Sequence, residues 1–328
     1  MALLEEFQGF HAAEAGSAVT VGVFDGVHRG HQSLIGMLKA LAAERGLTPC
    51  VITFLNHPRI VLAPGVTHSY LTTAARRVEL LQATGAAYVV PLTFTRELSQ
   101  LTYREFVDVL IAKLRLRALL IGADFAMGEG RQGNGAALAE LGREAGFTVS
   151  IAEPLRIDGE IVSTTGVRQC VEAGEVERAK VLLGRPYALE GVVVHGEARG
   201  RDLGFPTANL QAPPDILVPA NGIYATRATV HGATGQGVTH DSVTSIGVRP
   251  TFGDGRRTIE TYIMDFDGDL YGKGLTLDLV KRIREERKFT DVESLVAQIR
   301  MDVQDAHGIL AEHERRGAGR GGQPVRGV

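Results

Sequence analysis

Apolar residues follow two regimes along the chain. In the first, short apolar runs alternate with stretches of helical spacing. Residues 19–23, 50–54, 88–91, 118–121 and 148–151 are compact runs with the length and composition of buried strands. Between them, residues 33–45, 73–83, 103–114 and 136–145 repeat apolar positions at three- and four-residue intervals, as an amphipathic helix does. This alternation predicts βαβ units and a doubly wound parallel sheet with helices on both faces. Such sheets bind ligands beyond the C-terminal ends of their strands.

The regime changes after Tyr187. Residues 168–183 keep helical spacing, with a break at Gly174. From 191 to 279 the chain is rich in Val, Thr, Ile and Gly and alternates in stretches such as 258–266. Gly204, Pro206, Pro213, Pro214, Pro219, Gly222, Gly253 and Gly255 punctuate it, which predicts antiparallel strands in a barrel or sandwich. Helical spacing returns over 290–310, with Thr290 or Asp291 as N-cap. A Gly- and Arg-rich end is expected to be disordered. The fold class is therefore α/β followed by all-β, divided as 1–186, 187–314 and a tail 315–328.

Composition narrows the function. A length of 328 residues suits two domains of roughly 150 each. Neither needs a disulfide or metal staple. A net charge of -3 offers no basic excess for nucleic acid, so any nucleotide bound is small and held locally. Cys50 and Cys170 show neither metal spacing nor a disulfide framework, as expected of reduced thiols in the cytoplasm. The N-terminus lacks signal-peptide character, and no apolar run approaches the roughly 20 residues of a membrane span. Small-molecule substrates, and neither nucleic acid nor membrane, are the expected partners; the oligomeric state stays open.

The chemistry begins where the first strand ends, in Gly22, Val23, Phe24, Asp25, Gly26, Val27, His28, Arg29, Gly30 and His31. Glycines let this segment turn sharply and approach a ligand. The helix start that follows offers free N–H groups and a positive dipole end to phosphate. His28 and His31, three apart, would share a face of the first helical turn and donate to triphosphate oxygens. Zinc would require more Cys or His ligands or an HExxH helix, and no GxxxxGK[ST] loop occurs. These residues alone indicate an ATP-phosphate site and do not name the acceptor.

The segment resembles the GxFDGxHxGH signature of nucleotidylyltransferases, in the form found in bacterial FAD synthetases. The superfamily core is His28, Gly30 and His31; Phe24, Asp25 and Gly26 match the flavin branch. Thr53 to Pro58 resembles TFxPHP, with Asn56 in place of a proline. Gly122 to Gly128 resembles GxDFxFG, with Met127 in place of an aromatic. Ser163, Thr164, Thr165, Gly166, Val167 and Arg168 resemble SSTxIR. The resemblance implies that Gly22, Phe24, Asp25, Gly26, Gly30, Ser163, Thr164 and Thr165 bind ATP. It implies that His28, His31 and Arg168 stabilise the leaving pyrophosphate, and that Asn56, His57, Pro58, Asp124 and Phe125 line the flavin side. By residue type alone, His57 is equally a loop imidazole and Asp124 a turn carboxylate.

In the second half, spacing alone decodes no motif. Gly196, Gly200 and Gly204, with Arg199 and Arg201, make a basic loop able to cover phosphates. Thr207 and Asn209 point to one side of an extended segment. A hydroxyl and an amide oxygen suit Mg²⁺, which keeps several waters. Glu260 shares a side with Thr258 and Tyr262, where one carboxylate can act as a general base. By residue type and spacing alone, each of these reads as an ordinary loop or surface residue.

Gly200 to Leu210 is similar to the GRxLGFPTANL motif of riboflavin kinases. Pro219 to Ala225 is similar to PxxGVYA, and Ser245 to Phe252 to SIGxxPTF. Glu260 to Gly272 is similar to E…DFxxDLYG, and Arg284, Glu285 and Phe289 to RxExxF. Together the resemblances span residues 17–312. They imply a bifunctional riboflavin kinase and FMN adenylyltransferase with a closed C-terminal β-barrel and a terminal helix. Glu260 would be the kinase base, Thr207 and Asn209 the Mg²⁺ ligands, and Gly200, Arg201 and Gly204 the phosphate loop. Arg284 and Glu285 would meet the flavin. ATP is the co-substrate, and FMN is the product of one step and substrate of the next, giving FAD. Two alternatives are another HxGH-type nucleotidylyltransferase with an accessory barrel and a non-catalytic flavin-binding regulatory module.

Overall fold

The computed structural model describes residues 6–7, 14–63, 65–196, 200, 203–232, 237–248 and 257–318. They form two compact units, Met1–Thr164 and Thr165–Val328.

The first unit runs β1 (Ser17–Gly22), α1 (Arg29–Arg45), β2 (Thr48–Phe54), α2 (Pro58–Leu62), α3 (Ala74–Gln82), β3 (Tyr88–Leu92), α4 (Arg96–Gln100) and α5 (Tyr103–Leu114). It continues with β4 (Leu116–Gly122), β5 (Ala126–Met127), β6 (Gly133–Asn134), α6 (Gly135–Ala145), β7 (Thr148–Ala152), β8 (Arg156–Ile157) and β9 (Glu160–Ile161). Five parallel strands lie in the order β3-β2-β1-β4-β7. Alternating residues of β1 and β2 supply opposite faces. Val19, Val21, Cys50 and Ile52 pack on α5 and α6 through Val107, Leu110 and Leu138. Ala18 and Val51 pack on α1 and α3 through Ile35, Leu38 and Leu81. Each fully buried aliphatic side chain contributes roughly 1.5–3 kcal/mol relative to exposure.

The strand order reverses at β1, so the crevice outside its C-terminal end is the expected ligand site. The helix that follows starts at Arg29, four residues before the periodicity predicts, because its first turn carries polar and glycine residues instead of an apolar stripe. The short helices α2 and α4 and the hairpins β5–β6 and β8–β9 are too brief to show a period.

The second unit opens with α7 (Thr164–Ala173) and α8 (Val176–Leu183), separated at Gly174 as the sequence suggests. Six antiparallel strands follow: β10 (Tyr187–Val194), β11 (Thr207–Gln211), β12 (Gly222–His231), β13 (Gly237–Val248), β14 (Arg257–Ile263) and β15 (Gly274–Arg284). They close into a barrel in the order β10-β11-β14-β13-β12-β15, with β15 pairing back onto β10. The choice between barrel and sandwich is thus settled by ring closure. Helix α9 (Val292–Ala318) packs Val303, Ala306 and Leu310 on outer-face residues Ala225, Val243 and Val280. Asp291 caps it by accepting the Ser294 N–H at 2.7 Å. The helix takes in residues 315–318 of the expected tail; 319–328 lie outside the described residues.

One layer of the barrel interior is polar. Thr226, Ser242, Thr244 and Thr261 are fully buried. The Thr226 hydroxyl meets those of Ser242 and Thr244 at 2.7 Å, and Thr244 donates to Thr261 at 2.9 Å. Ser242 and Thr261 end the chain on the carbonyls of Thr226 and Val243. A fully satisfied network costs little, and it specifies how β12, β13 and β14 align. A one-residue slip would turn these hydroxyls out of the barrel.

Candidate active sites

At the end of β1 the chain makes one 3₁₀ turn, Asp25–Val27. Phe24 (φ 55°) and Val27 (φ 40°) take left-handed backbone, a strain of order 1–3 kcal/mol each that neighbours must hold. Asp25 does the holding. Its buried carboxylate accepts N–H groups of Leu71 at 3.0 Å and Thr72 at 3.2 Å, and Gly26 donates to the Thr72 hydroxyl at 3.3 Å. Asp25, expected at the ATP phosphates, is thus placed as the anchor of the turn. At Gly30 a Cβ would lie 2.8 Å from the Val162 carbonyl, so only glycine lets the segment leading to Ser163 come this close.

His28 corrects the sequence expectation in one respect. It is the N-cap of α1, in extended backbone, and is not part of the first helical turn. Its Nδ1 accepts the His31 N–H at 3.3 Å. The two rings stack with centroids 3.5 Å apart, and Phe24 meets His31 edge-on. Nδ1 of His31 is buried without a hydrogen-bond partner among the described residues. Burial, and then the adjacent His28, push the His31 pKa well below the usual imidazole value. At neutral pH His31 is therefore uncharged, at the start of α1. An arriving triphosphate would favour its charged form.

The residues expected on the flavin side follow the ends of β2 and β4, the two strands that flank β1. Asn56 donates to the Phe94 carbonyl at 2.9 Å and accepts the Phe94 N–H at 2.8 Å. This reciprocal pair stiffens the loop that a proline would stiffen by its ring. His57 caps α2 by accepting the Arg59 N–H at 3.1 Å, and Pro58 opens that helix. Asp124 and Phe125 occupy the turn after β4, where the Asp124 carbonyl accepts from Arg131 at 3.0 Å. Met127 is buried in the sheet core, so its departure from an aromatic falls on a packing position. Thr164 and Thr165 open α7, with Ser163 just before it and Arg168 one turn in.

Thr207, Asn209 and Glu260 meet through strand register. β11 pairs with β14 so that Asn209 opposes Glu260 and Thr207 opposes Tyr262. β13 brings Ser245 opposite Glu260 from the other side. Ala208, Leu210, Ile259, Thr261 and Ile263 are buried in the barrel, so the alternating Thr207, Asn209, Glu260 and Tyr262 share its outer face. Directly opposed side chains start about 4.5–5.5 Å apart. Gly196 lies on the Asn209 amide with no room for a Cβ, so the chain leaving β10 runs directly over this patch. Leu203 and Phe205 donate to the Gly200 carbonyl, and Gly204 takes φ 83° to make that turn. Arg201 lies outside the described residues, as do Arg199 and residues 249–252. A cleft of about 550 Å³ adjoins Thr207, lined by Val193, Pro206, Phe266, Asp269 and Tyr271. His195 stacks on Tyr271 at 3.7 Å.

Arg284 is held in a two-pronged ion pair with buried Asp302 of α9, at 2.7 and 2.6 Å. Glu285 is exposed. The RxExxF spacing, counted from Arg284 to Phe289, falls on Glu286, which the sequence assignment passed over. Glu286 accepts from Asn221 at 3.1 Å and fills the space above Gly247. Among the described residues no group of three His, Cys, Asp or Glu side chains is arranged to hold a metal. No described helix is long and apolar enough to cross a membrane.

Both halves of the chain match known families. A riboflavin kinase family model matches residues 183–310, and an FAD synthetase model matches residues 10–166. The bifunctional riboflavin kinase/FMN adenylyltransferase of Listeria monocytogenes is 36% identical, covering 90% of this chain and 93% of its own. That of Pseudomonas fluorescens is 36% identical over 96% of this chain and its full length. That of Escherichia coli K12 is 35% identical over 89% and 92%. A crystal structure from Streptococcus pneumoniae, described as a macrolide-efflux protein, superposes with TM-score 0.83 at 29% identity, covering 94% of this chain and 97% of that one. Two matched domains and relatives aligned along nearly their whole length carry the same two steps, riboflavin to FMN and FMN to FAD with ATP as donor, and the chain belongs to the bifunctional riboflavin kinase/FMN adenylyltransferase family.

Proposed function

We propose that riboflavin is phosphorylated on the outer face of the barrel, at Glu260. The observation that carries this is the register that sets Asn209 opposite Glu260, with Thr207 on the same face. Glu260 takes the proton from the terminal ribityl hydroxyl as that oxygen attacks the γ-phosphorus, and ADP leaves. The Thr207 hydroxyl and Asn209 amide oxygen are hard donors without a carboxylate cluster, which fits an ion that retains water. They would hold Mg²⁺, which when bound offsets phosphate charge. Gly200, Arg201 and Gly204 cover the phosphates, and the cleft beside Thr207 takes the rest of the nucleotide. Arg284 acts on the flavin side by holding α9, and Glu286 replaces Glu285 in that group.

Adenylyl transfer belongs to the turn after β1. The FMN phosphate attacks the α-phosphorus in line and pyrophosphate leaves, with no covalent intermediate. Gly22, Phe24, Gly26 and Gly30, with Ser163, Thr164 and Thr165, surround the triphosphate, and Asp25 holds the turn. His28, His31 and Arg168 stabilise the charge developing on pyrophosphate. Asn56, His57, Pro58, Asp124 and Phe125 face the flavin. The functional division falls at 186/187, and the kinase ends near 314. Both steps use small molecules in the cytoplasm, where the free thiols Cys50 and Cys170 stay reduced.

The test is to feed riboflavin or FMN separately, with ATP and Mg²⁺, to the Glu260→Gln protein and to separate the products by chromatography. FAD from FMN but none from riboflavin supports the assignment. Loss of both conversions, or of neither, refutes it.

A further inference from the structure

A strap of residues 70–77, outside every motif above, bonds to both sides of the adenylyl-transfer site. On the phosphate side, its Leu71 and Thr72 N–H groups are held by Asp25, and its Thr72 hydroxyl takes the Gly26 N–H. On the flavin side, the Tyr70 hydroxyl accepts the His57 N–H at 2.7 Å. Arg77 donates to the carbonyls of Phe54 at 2.5 Å and Leu55 at 3.0 Å, which lead into residues 56–58.

Arg77 is the unexpected member. It sits on the buried face of α3, one turn before Leu81, and is itself fully buried. Its guanidinium lies 5.7 Å from the centre of the Tyr70 ring. Its Nε and NH1 meet no acceptor among the described residues. Burial lowers its pKa, and Asp25 and then Tyr70 act in the opposite direction. A leucine would fill this face at far less cost than a buried cation with unmet donors. Such a group is retained for what it holds in place.

We propose that Arg77 and Tyr70 are positioning residues for the adenylyl acceptor. They fix the 55–58 loop relative to the 24–28 turn, so that the flavin phosphate meets the α-phosphorus in line. This rests on the assignment of residues 56–58 to the flavin side. A displacement of about 1 Å at such a junction costs on the order of 10²-fold in rate.

The test is steady-state conversion of FMN to FAD by the full-length protein, varying FMN and ATP separately. Tyr70→Phe removes one acceptor and raises KM for FMN about three- to tenfold, the worth of one neutral hydrogen bond. Arg77→Met lowers kcat/KM for FMN by about 10²-fold, and Arg77→Lys restores most of it. In each variant KM for ATP and the rate of riboflavin phosphorylation stay at the wild-type values. An equal rise in both KM values, or unchanged kinetics with a lowered Tm, reduces the strap to a structural element and overturns the proposal. If Arg77→Met does not fold, Tyr70→Phe decides. His57→Ala separates the two levels of inference. If it raises KM for FMN and Tyr70→Phe does not, the positioning role falls alone. If neither variant raises it, the flavin-side assignment falls and the positioning role with it.

Discussion

The turn after β1 and the outer face of the barrel, the two proposed ATP sites, are assembled differently. The first is one contiguous run, Gly22 to His31, bent through strained backbone and pinned by Asp25. The second is drawn from β11 and β14, and Asn209 faces Glu260 only because those strands pair in one register. A contiguous turn depends on local anchors and electrostatics, whereas a register-built patch depends on every strand that holds the alignment. The two sites should therefore fail in different ways.

The sharpest break between them is Glu260→Gln. It is expected to cut riboflavin phosphorylation by about 10²–10⁴-fold, the usual worth of a general base. FMN adenylylation measured on the same protein is expected to survive. His31→Ala reverses the pattern, with FAD formation from FMN down by about 10²–10³-fold, as for loss of one preorganised donor. Its FMN production from riboflavin should match wild type. Should either variant lose both activities with its fold intact, the two sites are not separate.

Thr244→Val probes the register. It removes one of the two hydroxyls that meet Thr226 and leaves the Thr261 hydroxyl without its donor. The expected loss is about 1–3 kcal/mol of barrel stability, measured by urea unfolding. A smaller and more gradual effect belongs to the turn. The folded-state pKa of His31 lies well below its value near 6.5 in the unfolded chain, so the unfolded state binds the extra proton. The resulting stabilisation is complete above about pH 6.5 and is lost as pH falls toward the folded pKa, by up to about 1.4 kcal/mol per pH unit. Thermal melts of the first unit between pH 7.5 and 5 should show this slope, and His31→Gln should flatten it.

The same contrast explains what the sequence made legible. Five parallel strands were visible as short apolar runs, those of β1, β2 and β4 buried on both faces and those of the edge strands β3 and β7 only partly so, and Gly22 to His31 stood out as an unbroken run of unusual residues. Thr207, Asn209 and Glu260 were visible as alternating positions and through motifs that resemble riboflavin kinases, but their meeting is a property of pairing. Arg77 escaped notice because a lone arginine on an amphipathic helix reads as its solvent face, although its phase with Leu81 placed it in the apolar stripe. Glu286 sits beside Glu285, and its contacts with Asn221 and Gly247 single it out only in the fold. The anchoring of Asp25 was not legible, since only the fold shows the Leu71 and Thr72 N–H groups it serves.

Ring closure has a consequence for how the protein matures. The barrel is complete only when β15, ending at Arg284, has joined β10, which begins at Tyr187. Pairings so distant in sequence form slowly. Domains made first on the ribosome fold first, and the partners of the 22–31 turn, from Thr53 to Val162, all precede the barrel. A chain in synthesis would thus complete its adenylylating half while the half that supplies FMN is still unfinished. Newly made protein would draw on FMN formed by older copies before it can form its own.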